Sequence, residues 1–161
     1  MQVKTIIDED FTNYKIPNML IATCYCDWKC CNELNIDNSI CQNSEIAQQK
    51  NIEISADEIF SRYNSNLITD AIVIGGLEPF LQFEEVYTLI KYFRDNKCLD
   101  DFVIYTGYYD YEIQNQLNEL KQFQNIIIKF GRFIPNQNSH YDEILGIKLA
   151  SNNQYAERIS Q

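Results

Sequence analysis

Four short runs of apolar residues, separated by segments with helical periodicity, dominate the pattern along the chain. The runs lie at 19–23, 70–75, 102–106 and 125–129. Unbroken apolar stretches of this length are typical of strands that are buried on both faces of a parallel sheet. Helices are predicted after Ser55, at 83–96 and at 112–120. The first has the Ser55 and Glu58 spacing of a capping box, and apolar positions recur in the other two every three or four residues.

This alternation of strand and helix predicts the fold class. Right-handed crossovers give an α/β protein with a parallel sheet and alternating helices, either open or curled into a partial (β/α) barrel. We expect one such domain over residues 1–161. Periodicity is weaker at 132–161: 135–140 is predicted to be a loop with a solvated His140, and 146–154 a final short strand. Ligands of such sheets gather at the carboxyl ends of the strands.

Composition and charge narrow the function classes. Hydrophobic residues make up 45% of the chain and charged residues 22%, which is typical of a folded globular protein. The net charge of −10 opposes binding to nucleic acid or to an anionic membrane surface, since both are polyanions. No segment approaches the roughly 18 apolar residues of a membrane span, and the first ten residues lack a basic and apolar leader. We therefore expect a cytoplasmic protein.

Cysteines cluster directly after the first predicted strand. Five of the six lie between Cys24 and Cys41, within a segment at 24–43. In a reducing compartment such clustering indicates metal or redox chemistry before disulfides. Three thiolates on a four-iron cluster leave one iron open to a small molecule, whereas a fourth closes the site. Zinc, which needs only four N or S ligands, is the alternative at this point.

Two motifs follow the first two predicted strands. Cys26-x3-Cys30, with an apolar residue directly before Cys41, is similar to the cluster motif of the radical S-adenosylmethionine superfamily. The usual spacing is C-x3-C-x2-C, and here ten residues separate the second and third thiols, which we interpret as a loop insertion. Gly75-Gly-Leu-Glu-Pro79 resembles the Gly-Gly-Glu-Pro turn of the same enzymes with one leucine inserted. Paired glycines allow the backbone to approach a ligand closely.

Within that superfamily, the chain most resembles the small activating proteins of anaerobic ribonucleotide reductase. The further similar segments are Cys41-Gln-Asn43, Ile104-Tyr-Thr-Gly-Tyr108, Gly131-Arg-Phe133 and Ala150-Ser-Asn-Asn-Gln154. The resemblance therefore covers roughly residues 20–154. It departs from the family at the insertion before Cys41, at Leu77, and at Lys129-Phe130, where the family often has an aspartate before the glycine.

The resemblance implies a function and a set of site residues. A four-iron four-sulfur cluster would reductively cleave S-adenosylmethionine to methionine and a 5′-deoxyadenosyl radical, and the protein would be an oxidoreductase that activates a partner glycyl radical enzyme. A one-electron donor such as flavodoxin would supply the electron. The implied cluster ligands are Cys26, Cys30 and Cys41. The implied cofactor-binding residues are Asn43, Gly75, Gly76, Glu78, Pro79 and Thr106, with the Glu78 carboxylate accepting hydrogen bonds from the cofactor ammonium.

Simpler interpretations remain beside this one. The chain is alternatively a noncatalytic iron-sulfur or zinc module, for which Cys31 or Cys24 would supply a fourth ligand. Cys24, Cys31 and Cys98 are otherwise expected to be buried small hydrophobes or spare thiols. The two glycines by themselves fit a strand-to-helix turn, and Thr106 and Asn43 fit the end of a strand and a turn cap. A small-molecule substrate in place of a protein partner also stays open.

Overall fold

The computed structural model describes residues 1–161 without a gap. The ten strands are, in chain order, β1 (Gln2–Val3), β2 (Thr5–Asp10), β3 (Asn18–Thr23), β4 (Ile52–Glu53), β5 (Ala71–Gly76), β6 (Asp101–Tyr105), β7 (Ile126–Phe130), β8 (His140–Asp142), β9 (Ile147–Leu149) and β10 (Tyr155–Arg158). The five α-helices are α1 (Lys29–Leu34), α2 (Ser44–Ala47), α3 (Ala56–Ser65), α4 (Phe83–Asp95) and α5 (Gln114–Leu120). Three short 3-10 segments are Asn38–Ile40, Pro79–Gln82 and Asp110–Glu112.

A six-stranded mixed sheet in the order β10-β7-β6-β5-β3-β2 forms the centre of the molecule. The four inner strands, β3, β5, β6 and β7, are parallel, and helices occupy each of the crossovers between them. The predicted α/β class with alternating helices is confirmed. The sheet stays open, in keeping with a partial barrel. It is not wholly parallel, however, because β2 and β10 add antiparallel strands at its two edges.

The two faces of the sheet bury different partners. Side chains at alternate positions of the inner strands, such as Ile72, Ile74 and Phe102, pack against the helices in the larger apolar cluster. The intervening positions, such as Val73 and Val103, face the other way and pack against segments from near both ends of the chain. We call this second side the helix-free face. Burial on both faces explains why the inner strands are continuous apolar runs.

The predicted helices form close to their expected places. Helix α3 begins after Ser55, and both hydrogen bonds of the predicted capping box with Glu58 are present. Helix α4 follows the 3-10 segment at Pro79–Gln82. The third helix is shorter than expected, because the chain makes a 3-10 turn at Asp110–Glu112 before α5. No helix of the chain combines the length and the apolar character that crossing a bilayer requires.

The C-terminal segment departs from its predicted structure. The single strand expected at 146–154 is instead β9 followed by a bend, and the chain then enters the main sheet as β10. His140, expected in a solvated loop, is half-buried at the start of β8 and pairs with Leu149. The predicted strand at 125–129 begins one residue later, because Asn125 has a φ of 58° and forms a turn.

Candidate functional site

A cavity of about 490 Å³ opens at the carboxyl ends of the inner strands, on the helix-free face of the sheet. We call it the inner cavity. Its floor consists of alternate strand residues, which share one face because successive side chains of a strand point in opposite directions. These floor residues are Leu20, Ala22, Val73, Gly75, Tyr105 and Lys129. Eight of the nine predicted site residues line this cavity, and Pro79 is the exception.

The three predicted cluster ligands lie together at the wall of the inner cavity. Cys26 is in the loop after β3, Cys30 is in the first turn of α1, and Cys41 follows the 3-10 turn at Asn38–Ile40. All three are half-buried. The rest of helix α1, a three-residue connection and the 3-10 turn take up the ten residues between the second and third thiols, so the insertion returns the chain to the same wall.

The thiols differ in acidity because their surroundings differ. The neighbouring Cys41 thiol lowers the pKa of Cys30, whereas the Cys30 thiol and burial raise the pKa of Cys41 above its ordinary value. Burial raises the pKa of Cys26 to about 11. Cys30 is thus the thiol whose charged form the protein favours, and a bound metal would have to drive deprotonation of the other two.

Backbone groups favour the charged form at two of the three sulfurs. The Trp28 N–H donates to Cys26 Sγ at 3.3 Å, and the backbone at Asn43 acts to lower the pKa of the Cys41 thiol. Each of these backbone groups lies two residues after its cysteine, and Trp28 adopts a left-handed φ of 55°. Backbone N–H groups that point at sulfur stabilise thiolates and set the potential of iron-sulfur clusters. The donor set and its surroundings therefore fit such a cluster.

None of the remaining cysteines lines the inner cavity. Cys31 and Cys24 are buried, and neither lines the cavity, although Cys31 Sγ is 3.8 Å from Cys30 Sγ. Cys98 lies beside Asp100, in the turn before β6. No group of three metal-binding side chains converges on a single point, as one zinc ion would require with sulfurs about 3.8 Å apart. In a four-iron cluster each thiolate binds a different iron, so the sulfurs do not converge on one point.

The glycine turn at the end of β5 is fixed by its neighbours. Gly76 has a φ of 81°, and a Cβ there would lie 2.7 Å from Ala22 Cβ on β3. A Cβ at Gly75 would lie 3.2 Å from Tyr105 Cβ. Gly76 is therefore required by close contact between strands, as the simpler interpretation holds, and Gly75 fits where a side chain would be crowded. Both also line the inner cavity, where they leave the backbone accessible to a ligand.

Glu78 joins the glycine turn to the end of β6. Its buried carboxylate accepts hydrogen bonds from Thr106 Oγ1 at 2.7 Å, Gly107 N at 2.9 Å and Phe80 N at 3.1 Å. Burial raises its pKa to about 7 even with these donors present. A carboxylate has about four acceptor positions, so one remains for a ligand. Thr106 acts here as a partner of Glu78 in addition to lining the cavity.

Two further predicted residues differ in their access to the cavity. Asn43 is at the N-cap position of α2, but its side chain makes no capping hydrogen bond and lines the cavity instead. Pro79 is buried and begins the 3-10 segment after Glu78. Its position sets the direction of the backbone leaving the turn. It does not contact the cavity.

A network of charged side chains, which the sequence did not reveal, anchors the cysteine segment. The Arg132 guanidinium is 5% exposed and donates to Glu112 at 2.6 and 2.8 Å. Glu112 also pairs with Lys29 on α1, and Glu33 on the same helix lies 2.9 Å from Arg132 Nε. The helix that carries Cys30 is thereby tied to the end of β7. Only the position of Arg132 within the family-like segment 131–133 pointed to it.

Comparisons with known proteins give one match. The family model described as a 4Fe-4S single cluster domain matches residues 19–155. The match includes the cysteine segment and the four inner strands. Neither the curated proteins nor the solved structures yield a match.

Proposed function

The chain belongs to the 4Fe-4S single cluster domain family, and from this premise we propose that it is a radical S-adenosylmethionine enzyme of the activating type. Cys26, Cys30 and Cys41 hold the cluster in this proposal, and S-adenosylmethionine occupies the inner cavity. The partner is a glycyl radical enzyme, such as anaerobic ribonucleotide reductase. Membership of the family shows that the chain is an iron-sulfur protein. The binding of S-adenosylmethionine, the reaction and the partner are proposed.

One observation carries the proposal: three cysteines, and no fourth, line a cavity large enough for a nucleoside. A cluster held by three thiolates keeps one iron available to a small molecule. Small-molecule sites commonly measure 300 to 1,000 Å³, and the inner cavity, at about 490 Å³, lies in that range. A closed four-thiolate centre for electron transfer alone would need no such space beside it.

The residues of the chain have distinct roles in this proposal. A reduced cluster held by these residues would supply one electron for cleavage of a carbon–sulfur bond of S-adenosylmethionine, which would give methionine and a 5′-deoxyadenosyl radical. The three cysteines bind the cluster as thiolates. The backbone at Gly75 and Gly76 permits close approach of the amino-acid end, and Glu78 offers its remaining acceptor position to an ammonium group. Thr106 keeps that carboxylate in place.

The partners are proposed on chemical grounds. A glycine Cα–H of the partner enzyme would give its hydrogen atom to the deoxyadenosyl radical, and the products would be 5′-deoxyadenosine and a glycyl radical on the partner. The reduced form of the cluster requires a one-electron donor, for which a flavodoxin-type protein is suitable. The net charge of −10 favours partners that dock through a basic face.

Anaerobic reconstitution with iron and sulfide tests the proposal. The reduced protein is examined by electron paramagnetic resonance with and without S-adenosylmethionine, and 5′-deoxyadenosine is assayed. We expect a cofactor-dependent change in the cluster signal and formation of 5′-deoxyadenosine. Both should be lost in Cys26→Ala, Cys30→Ala and Cys41→Ala.

The matched control is Cys31→Ala, which removes the neighbouring thiol and leaves the inner cavity unchanged. It should keep both the signal and the product. A cluster that is lost in Cys31→Ala, or that ignores S-adenosylmethionine in the wild type, would contradict the enzyme reading. Either result would favour the noncatalytic iron-sulfur module. A preparation that binds zinc alone would exclude both.

A further inference from the structure

Lys129 is a buried cation on the floor of the inner cavity. Its neighbours on β7, Ile128 and Phe130, pack on the helix side of the sheet, so the lysine side chain extends from the helix-free face. The residue is only 7% exposed and lines the same cavity as the three cysteines. Lysine is rarely buried to this degree unless it is paired with an anion.

The protein gives this ammonium group little compensation. Lys129 Nζ donates to Gly131 O at 2.9 Å and lies 5.9 Å from the centre of the Tyr105 ring. It belongs to none of the ion pairs of the chain. An ammonium group has three N–H donors, so two are left without a protein acceptor. Desolvation accordingly lowers the pKa of Lys129 to about 8.

The other charged groups at the cavity do not neutralise Lys129. Glu78 and Cys30 act on it only through longer-range attraction, and the Glu78 oxygens already accept three hydrogen bonds. Arg132 is paired with Glu112. Lys148 lines the cavity too, but it is exposed to solvent. The cavity therefore contains one buried cation whose carboxylate partner is missing from the protein.

We infer that Lys129 binds the carboxylate of the ligand in the inner cavity, with two of its N–H donors directed at that group. The inference rests on the proposed function, under which the carboxylate belongs to the methionyl end of S-adenosylmethionine. A charge-assisted hydrogen bond in a site shielded from water offsets the desolvation of both ions. Lys129 then makes the cavity selective for amino-acid-bearing sulfonium ligands over their decarboxylated forms.

Equilibrium binding to the reconstituted protein tests this assignment. Isothermal titration calorimetry measures the affinity of S-adenosylmethionine and of decarboxylated S-adenosylmethionine for the wild type and for Lys129→Met, which keeps the length of the side chain without its charge. We expect the substitution to weaken S-adenosylmethionine binding by about 10- to 100-fold, the range for one charge-assisted hydrogen bond. Binding of the decarboxylated analogue should stay within about threefold of wild type.

Lys121→Met is the matched control, because it removes an exposed lysine that lies outside the inner cavity. It should bind both ligands as the wild type does. Iron and sulfide contents and thermal midpoints establish that each variant is folded and loaded. Near-equal affinities of wild type and Lys129→Met for S-adenosylmethionine would overturn the assignment, as would an equal loss for both ligands. If Lys129→Met changed the reduction potential of the cluster but neither ligand affinity, Lys129 would be a counter-charge of the cluster. That result would also overturn the assignment. Absence of binding to the wild type would instead refute the proposed function, and the assignment with it.

Discussion

Replacement of Lys129 by methionine should stabilise the cluster-free protein, and the gain should depend on pH. At neutral pH the wild type holds a buried ammonium group without a carboxylate partner. Methionine fills a similar volume and has no charge to desolvate. The comparison concerns folding alone, so its result does not depend on which ligand the cavity takes.

The magnitude follows from the pKa of the lysine in its two states. Burial lowers the pKa of Lys129 to about 8 in the folded chain, against an ordinary value of 10.5. Between these values the unfolded chain binds more protons than the folded chain, so wild-type stability gains from this group as the pH rises. At about 1.4 kcal/mol per pH unit the gap corresponds to about 3 kcal/mol. The free energy of unfolding of Lys129→Met should therefore exceed that of the wild type by its full amount below pH 8. The difference should shrink by about 3 kcal/mol toward pH 10.5.

Urea unfolding of both proteins, reduced and without iron, measures this difference at intervals from pH 7 to 10.5. Comparison at equal pH cancels the cysteine and tyrosine ionisations that the two proteins share. Lys148→Met, in which an exposed lysine is replaced, provides the control and should follow the wild-type curve. A constant difference between wild type and Lys129→Met across the range would refute the burial of a charged group at this position.

Three other substitutions test local parts of the structure. Gly76→Ala should lower the free energy of unfolding by about 2–3 kcal/mol in urea, because φ is 81° and the new Cβ would meet Ala22 at 2.7 Å. Ser55→Ala removes the side-chain half of the capping box and should cost about 1 kcal/mol in the same assay. Glu112→Gln should cost about 1–2 kcal/mol at neutral pH. Arg132 lowers the pKa of Glu112 to about 2. The loss of unfolding free energy in Glu112→Gln should therefore be full above pH 4.5 and shrink as the pH falls toward 2. A loss that stays the same at low pH would contradict the ion pair.

Much of the fold was predictable because the inner strands are recognisable from their own sequences. Burial on both faces makes β3, β5, β6 and β7 continuous apolar runs, and helix α3 begins at a capping box that two residues define. The antiparallel strands β2 and β10 were missed because each lies at an edge of the sheet. Their sequences are half-exposed and polar, and they resemble loops.

The candidate site was predictable only where the spacing of residues along the sequence indicates a chemical role. Cys26 and Cys30 follow a strand directly, and the glycines of the turn end the next strand, so both motifs reach the same edge of the sheet. Lys129 could be noted only as a departure from a family pattern. Its burial depends on which face of β7 it occupies and on what covers that face, and both are properties of the tertiary structure.

The way in which the chain returns to the cavity after Cys30 bears on how related proteins are recognised. The insertion contains most of helix α1, a three-residue connection and the 3-10 turn, and residues 32–40 lie almost wholly at the surface. Surface loops of this kind vary in length at little energetic cost, since loop closure depends only weakly on the number of residues. The placement of the three thiols is therefore compatible with many loop lengths. A pattern search that fixes two residues between the second and third cysteine would pass over such chains, whereas one that combines a gap of variable length with the glycine turn would retain them.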